Sequence, residues 1–375
     1  MRARLSLISR LGLARPSRLD AVAFEDLIEA WDGEQVVVHH DLPTSSWMFV
    51  GVHSTVTGPA MGGTRLQSYP GPAEALDDVL RLSDAMTWKQ AAADIPYGGG
   101  KAVLAVPEVP APGSAERLPL LRRYGDLVES LRGTYVTAAD MNTGEADMDV
   151  VGERTSHVLG RSEANGGSGD PGADTARGVF HGIEATVRHV FGTEDLAARS
   201  VLVQGLGSVG SRLVEHLRDA GATVSVADVD GARAAAGAEE MGATVVAPAD
   251  VIGTVCDVFS PCATGKVLTE PTIAHLRCRI VAGAANNQLG VAEDGERLRE
   301  AGILFAPDFV INAGGVIHLA GYETLGWDES TMTKRLEAIG DTLLEIYEAA
   351  DREGISTAAA ADRMARGRVA AARGG

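Results

Sequence analysis

The tightest constraint on this chain is a six-residue turn and what flanks it. Val201–Leu202–Val203–Gln204 reads as a buried strand. Gly205–Leu206–Gly207–Ser208–Val209–Gly210 follows, and an amphipathic helix opens at Ser208. The next strand-like run, Thr223–Ala227, ends in Asp228. A lone G-x-G-x-x-G means little, but strand, helix and downstream acid together are a demanding coincidence. The first glycine permits the turn, the second lets backbone approach a pyrophosphate, and the third lets helix pack on strand. Amides at the helix N-terminus then face the phosphate charge. Gly205, Gly207, Ser208, Val209 and Gly210 are therefore the expected cradle of a dinucleotide. Asp228 stands where a carboxylate accepts from the adenosine ribose hydroxyls and repels a 2′-phosphate. With Asp230 nearby, NAD is expected over NADP, while Arg233 argues the other way. The plain alternative is a tight turn with no ligand.

The motif sits in a helix–strand alternation: Asp174–Val190, Ser200–Gln204, Ser208–Ala220, Thr223–Ala227, Asp230–Met241. That pattern predicts a parallel sheet with crossover helices. The first half reads differently. Val36–Val38 and Trp47–Val56 suggest an antiparallel hairpin, Glu74–Gln90 a helix, Ala102–Val106 a strand, Leu118–Leu131 a helix and Thr134–Ala138 a buried strand. The Gly-rich stretch Gly166–Gly172 marks a boundary, and 375 residues suit two domains. The expectation is an α/β protein with two domains across a cleft: an N-terminal domain with a mixed sheet, and a Rossmann dinucleotide-binding domain. Residues 21–160 form the first, completed by helices over 331–375, and residues 161–330 the second. From Ala358 onward the chain reads as helix or frayed tail. Residues 1–20, with five arginines before Asp20, read as a disordered extension rather than a secretory leader.

A net charge of −18, with no run of five like charges, argues against nucleic acid and anionic membrane as partners. No apolar run approaches the ~20 residues of a membrane span. Cys256, Cys262 and Cys278 form no disulfide framework or metal-ligand spacing, nor do the nine histidines, so reduced thiols in a cytoplasmic protein are expected and no metal.

Two lysines carry the candidate chemistry. Lys89 follows the apolar helix through Met86–Thr87–Trp88, and Lys101 follows Gly98–Gly99–Gly100 and opens an apolar strand. A lysine desolvated beside another cation has its pKa lowered, which makes it a usable base. Asp140 closes a run that predicts an interior strand, where a carboxylate needs a partner and an ammonium suits. The alternatives are solvated surface lysines and a turn or cap aspartate. Cys262 reads as a packed small residue rather than a nucleophile, since no basic partner is apparent.

At this point the residues resemble a family, the Glu/Leu/Phe/Val dehydrogenases. The matching segments are Gly58–Arg65 (GPAMGGTR), Met86–Lys89, Gly98–Lys101, Thr137–Asp140, Gly205–Gly210, Pro261–Ala263, Ala282–Gln288 and Pro307–Gly315, in the family's order. The resemblance implies reversible oxidative deamination of an L-amino acid to a 2-oxo acid and ammonia with NAD. It implies Lys101 as the base that activates water and Asp140 as the proton relay. Lys89 would bind the substrate carboxylate, helped by the Gly62–Gly63 backbone. Asn287 and Asn312 would position substrate and nicotinamide; Asn286, Cys262 and Ala263 would lie by the cofactor. It also implies a homo-oligomer, with the N-terminal hairpin as the contact. Met61 stands where glutamate enzymes carry lysine, so a γ-carboxylate would go unpaired. Met61, Ala138, Val316 and Leu319 shape an apolar pocket that favours leucine, valine or isoleucine. Phenylalanine is the runner-up, because Ile317–Gly321 and Leu325–Trp327 look like phenylalanine dehydrogenases. The different-class alternative is an inactive NAD-binding regulator, against which Lys101 and Asp140 both stand.

Overall fold

The computed structural model describes residues 24–374; the extension expected over residues 1–20 lies outside them. Helix α1 (Phe24–Trp31) belongs to a unit of its own that ends at Asp32. Everything below concerns the second unit, Gly33–Gly375.

Its first half is a five-stranded mixed sheet. The elements run β1 (Gln35–Asp41), β2 (Ser46–Ser54), β3 (Ala60–Gln67), α2 (Pro72–Ala92), β4 (Gly98–Ala105), α3 (Arg117–Ser130), β5 (Tyr135–Ala139) and α4 (Glu145–Gly152). Strand order is β1-β2-β4-β3-β5. β1 and β2 form the expected hairpin, with His40 opposite Trp47, and β2 runs antiparallel to β4. β3 runs parallel to both neighbours, β4 and β5. The side-chain pattern predicts no strand between Val56 and Glu74, yet β3 lies there, near the middle of the sheet. Glycine weakens a strand and so hides it from pattern reading. The reason for glycine is space: a Cβ on Gly62 would lie 1.7 Å from the Gly100 carbonyl oxygen.

The second half is a six-stranded, all-parallel sheet. It is built from α5 (Gly172–Phe191), β6 (Ser200–Gln204), α6 (Ser208–Asp219), β7 (Thr223–Ala227), α7 (Gly231–Met241), β8 (Thr244–Val245), β9 (Val258–Pro261), α8 (Glu270–Ile273), β10 (Ile280–Val281), α9 (Asp294–Glu300) and β11 (Leu304–Phe305). The order is β11-β10-β9-β6-β7-β8. From β6 the chain winds outward to β8, then crosses back to lay β9 against β6. That reversal makes β6/β9 the switch point, where the carboxyl ends of the strands open a crevice for a ligand. β6 ends at Gln204, one residue before the glycine turn, and β9 ends at Pro261 beside Cys262. Helices α10 (Asp308–Ile311), α11 (Gly314–Glu323), α12 (Glu329–Glu353) and α13 (Thr357–Gly374) complete the chain, so the C-terminal stretch is helix.

Two contacts fix the position of α2, one with the first sheet and one with the C-terminal helices. A Cβ on Gly99 would meet the Thr87 hydroxyl oxygen at 2.0 Å and the Thr87 amide nitrogen at 2.2 Å, so only glycine lets the helix lie this close. Its last carbonyls, which have no partner within the helix, are taken by arginines from the C-terminal helices. Arg368 of α13 donates to Ala91 and Ala92 at 3.1 and 2.9 Å, and Arg335 of α12 donates to Ala93 and Asp94. Lys89 sits in the last turn held this way. Replacing Gly62 by alanine forces β3 and β4 apart; urea unfolding is expected to show a loss of about 3 kcal/mol, at the upper end of overpacking costs.

Candidate active site

Between the two sheets lies a cleft of about 310 Å³. One wall carries Met61, Gly62 and Gly63 of β3, Lys101 of β4, Ala138 of β5, Asp140 just after it, and Lys89 of α2. The other carries Val209, Asn286, Asn287, Asn312, Val316 and Leu319. Every residue expected on the substrate side faces this cleft. Of the residues expected on the cofactor side, Val209, Asn286 and Asn312 do. Gly205, Gly207, Ser208, Gly210, Asp228, Cys262 and Ala263 lie off its lining, gathered at the end of β6.

The wall of the first sheet is charged at its centre. Lys101, only 6% exposed, places its Nζ 3.0 Å from Asp140 Oδ2. Arg65 Nε approaches the same oxygen at 3.2 Å, and its Nη1 reaches Asp78 at 2.9 Å. Burial pushes the Asp140 carboxyl up, but the two cations more than reverse it, so the group lies below its ordinary range and is ionised at neutral pH. Beneath it, Thr64, Tyr124 and Thr137 close a buried ring of hydroxyls at 2.5–2.8 Å, and Tyr135 donates to the Gly62 carbonyl at 2.7 Å. Buried polar groups satisfied in this way hold the strand ends rigid.

The pKa of Lys89 is depressed. Lys89 stands at the floor of the cleft, reached by solvent yet ringed by protein. Burial brings it down to about 8; Asp308 opposes this, the Lys101 charge adds to it, and Asp140 opposes it again. Its Nζ donates to Asn286 Oδ1 at 3.3 Å. Asn312 donates to the same oxygen at 2.9 Å and to the Ala284 carbonyl at 3.0 Å, which leaves Asn312 Oδ1 buried without a partner among the described residues. An orphaned amide oxygen beside a cleft suits a ligand that brings an N–H donor.

The turn after β6 has the shape a pyrophosphate requires. Gly205 adopts φ +101°, and a Cβ there would meet Ala263 Cβ at 2.7 Å. A Cβ on Gly210 would lie 1.9 Å from the Gly205 carbonyl oxygen. Gly207 and Ser208 are exposed, and in front of Gly207 nothing stands within 4 Å. That is open room at a helix N-terminus, and the residues fit a dinucleotide. Asp228 is buried and accepts from the Leu206 amide at 2.8 Å and the Asp230 amide at 2.9 Å. Burial raises its carboxyl, while these amides and Arg233 lower it further, so it is ionised. It therefore splints the turn. Arg233 is engaged by Asp228 and Asp230, each at 3.6 Å. Burial pushes the Cys262 thiol up, against a nucleophilic role.

Residues 46–157 match the Glu/Leu/Phe/Val dehydrogenase, dimerisation domain, and residues 166–237 and 233–374 match the Glutamate/Leucine/Phenylalanine/Valine dehydrogenase domain. The chain belongs to this dehydrogenase family. It is 41% identical to a leucine dehydrogenase of Thermoactinomyces intermedius over 92% of this chain and 93% of that one. It is 43% identical to a valine dehydrogenase of Streptomyces coelicolor, over 91% and 93%. The crystal structure of L-tryptophan dehydrogenase from Nostoc punctiforme superposes with a TM-score of 0.80 at 38% identity, covering 94% of this chain and 100% of that one.

Within this dehydrogenase fold the structure adds residues that pattern reading left without a role. Arg65, inside the GPAMGGTR segment, is the second cation on Asp140. Asp308 accepts the Gln288 and Phe309 amides, each at 2.8 Å, and so holds the turn in which Asn287 takes φ +52°. Burial keeps its carboxyl above the ordinary range. Both residues lie inside recognisable motifs, but no spacing rule says which acid faces which cation. Free Lys89 is half-charged near pH 8, and an anion paired with it raises its pKa. Binding of a small carboxylate at pH 9 is therefore expected to take up a proton, and binding at pH 6.5 none. Calorimetry in buffers of different ionisation enthalpy measures the uptake, which Lys89→Met is expected to abolish.

Proposed function

We propose that the chain catalyses reversible, NAD-dependent oxidative deamination of a branched-chain aliphatic L-amino acid, leucine, valine or isoleucine, to the 2-oxo acid and ammonia. The observation that carries this is the Lys101–Asp140 pair, 3.0 Å apart with Lys101 buried, lining the same cleft as Lys89 and Asn312. Membership of the family makes the chain an oxidoreductase of the amino-acid dehydrogenase class.

The division of labour follows the two sheets. Gly205–Gly210, Asp228, Asn312 and Asn286 would hold NAD, which would supply the hydride acceptor. Lys89 pairs with the substrate α-carboxylate, and the bare backbone of Gly62 and Gly63 lets that group come close. Asn287 orients the substrate. Lys101 takes a proton from water as its oxygen adds to the imine carbon. Asp140 exchanges protons with the nitrogen as ammonia leaves. Lys101 on β4, Asp140 at the end of β5 and Lys89 in the last turn of α2 hold the reacting atoms in line, and such positioning lowers the barrier to reaction. The cofactor preference for NAD rests on the acids that engage Arg233: a 2′-phosphate would have to draw that guanidinium off two carboxylates.

Met61, Ala138, Val316 and Leu319 bring no cation to the side-chain pocket. Glutamate would leave its γ-carboxylate unpaired there, at a cost of several kcal/mol. Bulk at these positions favours an aliphatic over an aromatic side chain, by ~1–3 kcal/mol per methylene. We also propose a cytoplasmic homo-oligomer. Three unpaired thiols suit a reducing compartment, and β1 is an edge strand with Val38 exposed. Among the described residues no helix is long and apolar enough to cross a membrane.

A panel of L-amino acids with NAD and NADP, ranked by kcat/KM, is expected to place leucine, valine or isoleucine first with NAD; dominant turnover of phenylalanine would displace the pocket argument. Lys101→Ala is expected to lose at least 100-fold in kcat, the range of general-base loss, while NADH still binds by fluorescence titration. Near-normal turnover would remove Lys101 as the base.

A further inference from the structure

One carboxylate stands at the mouth of the cofactor cradle. Asp170 lies on the irregular segment that leads into α5, between Gly169 at φ +78° and Pro171. Its Oδ2 accepts the Ser208 hydroxyl at 2.8 Å and meets Arg212 Nη1 at 3.1 Å. Its Oδ1 accepts the Gly172 amide at 2.9 Å. Arg212 also donates to the Ser208 carbonyl at 2.7 Å and to its hydroxyl. Ser208 is the first residue of α6, directly after the open face of Gly207. A hydroxyl, a guanidinium and a helix N-terminus are the groups that receive phosphate. Here they hold a carboxylate of the chain itself. Burial raises that carboxyl, but Ser208, the Gly172 amide and Arg212 together bring it below its ordinary range, so it is charged at neutral pH.

We infer that Asp170 is an internal stand-in for phosphate: it holds Ser208 and Arg212 in the cofactor-free chain, is displaced by the incoming pyrophosphate, and releases Arg212 to it. The inference rests on the dinucleotide reading above. Two anions that share one hydroxyl and one guanidinium repel each other at a few ångströms. The Asp170 and Arg212 side chains are 47% and 39% exposed, and exposed pairs are weak enough to exchange partners. The displacement has a natural limit. Upstream, Glu323 of α11 accepts the Gly160 and Ser168 amides and the Ser168 hydroxyl, which anchors that end of the segment. Movement is thereby confined to the turn at Gly169–Pro171.

The test is titration of the full chain with NADH by fluorescence, and with ADP-ribose and adenosine by calorimetry, at low ionic strength. Asp170→Asn is expected to bind NADH and ADP-ribose about three- to fivefold more tightly, and Arg212→Gln about tenfold more weakly, with adenosine unchanged by either. Added salt is expected to narrow both differences. Asp170→Ser, which keeps polarity without charge, is expected to follow Asp170→Asn and guards against a folding artefact of one variant. Unchanged or weaker binding of NADH in both Asp170 variants overturns the inference. A wild-type chain that binds neither NADH nor ADP-ribose instead removes the dinucleotide reading, and the inference falls with it.

Discussion

A lysine nitrogen and a carboxylate oxygen 3.0 Å apart at the edge of the cleft constrain almost everything around them. Lys101 is buried and has Asp140 as its partner, since an unpaired charge in that position costs several kcal/mol. Together they require β4 and the end of β5 to be held in register on either side of β3. Arg65 supplies a second cation to Asp140 and ties it to Asp78, which in turn takes the Tyr69 hydroxyl at 2.7 Å. The hydroxyls of Thr64, Tyr124 and Thr137 fill the polar space below. The charges are thus fixed from beneath and free only on the side that faces the cleft.

The second constraint is closeness. Glycines at 62 and 99 are places where another backbone or a helix comes too near for any side chain. Because α2 lies directly on β4, Lys89 and Lys101 feel each other's charge, and the depressed pKa falls on Lys89. The two lysines differ in environment: Lys101 has a carboxylate partner at 3.0 Å, and Lys89 donates to Asn286 at 3.3 Å and lines the cleft. Arginines from α12 and α13 cap the last turn of α2, so the C-terminal helices help to set the position of Lys89.

Much of this was legible before the fold was known. The strands Ser200–Gln204 and Thr223–Ala227 and the helix from Ser208 agree with the side-chain pattern to within a residue, because parallel buried strands and amphipathic helices write their period directly into the chain. The residues expected on the substrate side, Met61 to Leu319, line one cleft, while Gly205, Gly207, Ser208, Gly210, Asp228, Cys262 and Ala263 lie off its lining. β3 was not legible, since its glycines answer to strand-to-strand contact rather than to local propensity. Nor were the partners of Asp140, Asp228 and Asp308. Asp228 splints its own turn through the Leu206 amide, and Asp308 holds the turn of Asn287; each is a contact between segments whose meeting no local period records.

By itself, then, the order of residues determined the alternation of elements, the glycine turn with its acid, and the presence of two lysines and an aspartate of the right kind. Those follow from local sterics and hydrophobic period, which act over a few residues. The tertiary structure alone decided which lysine meets which carboxylate, that burial brings Lys89 down to about 8, and that Asp170 meets Ser208 and Arg212. Those depend on distances between groups far apart in the chain, and electrostatic energy is a function of distance and burial, not of order along the backbone.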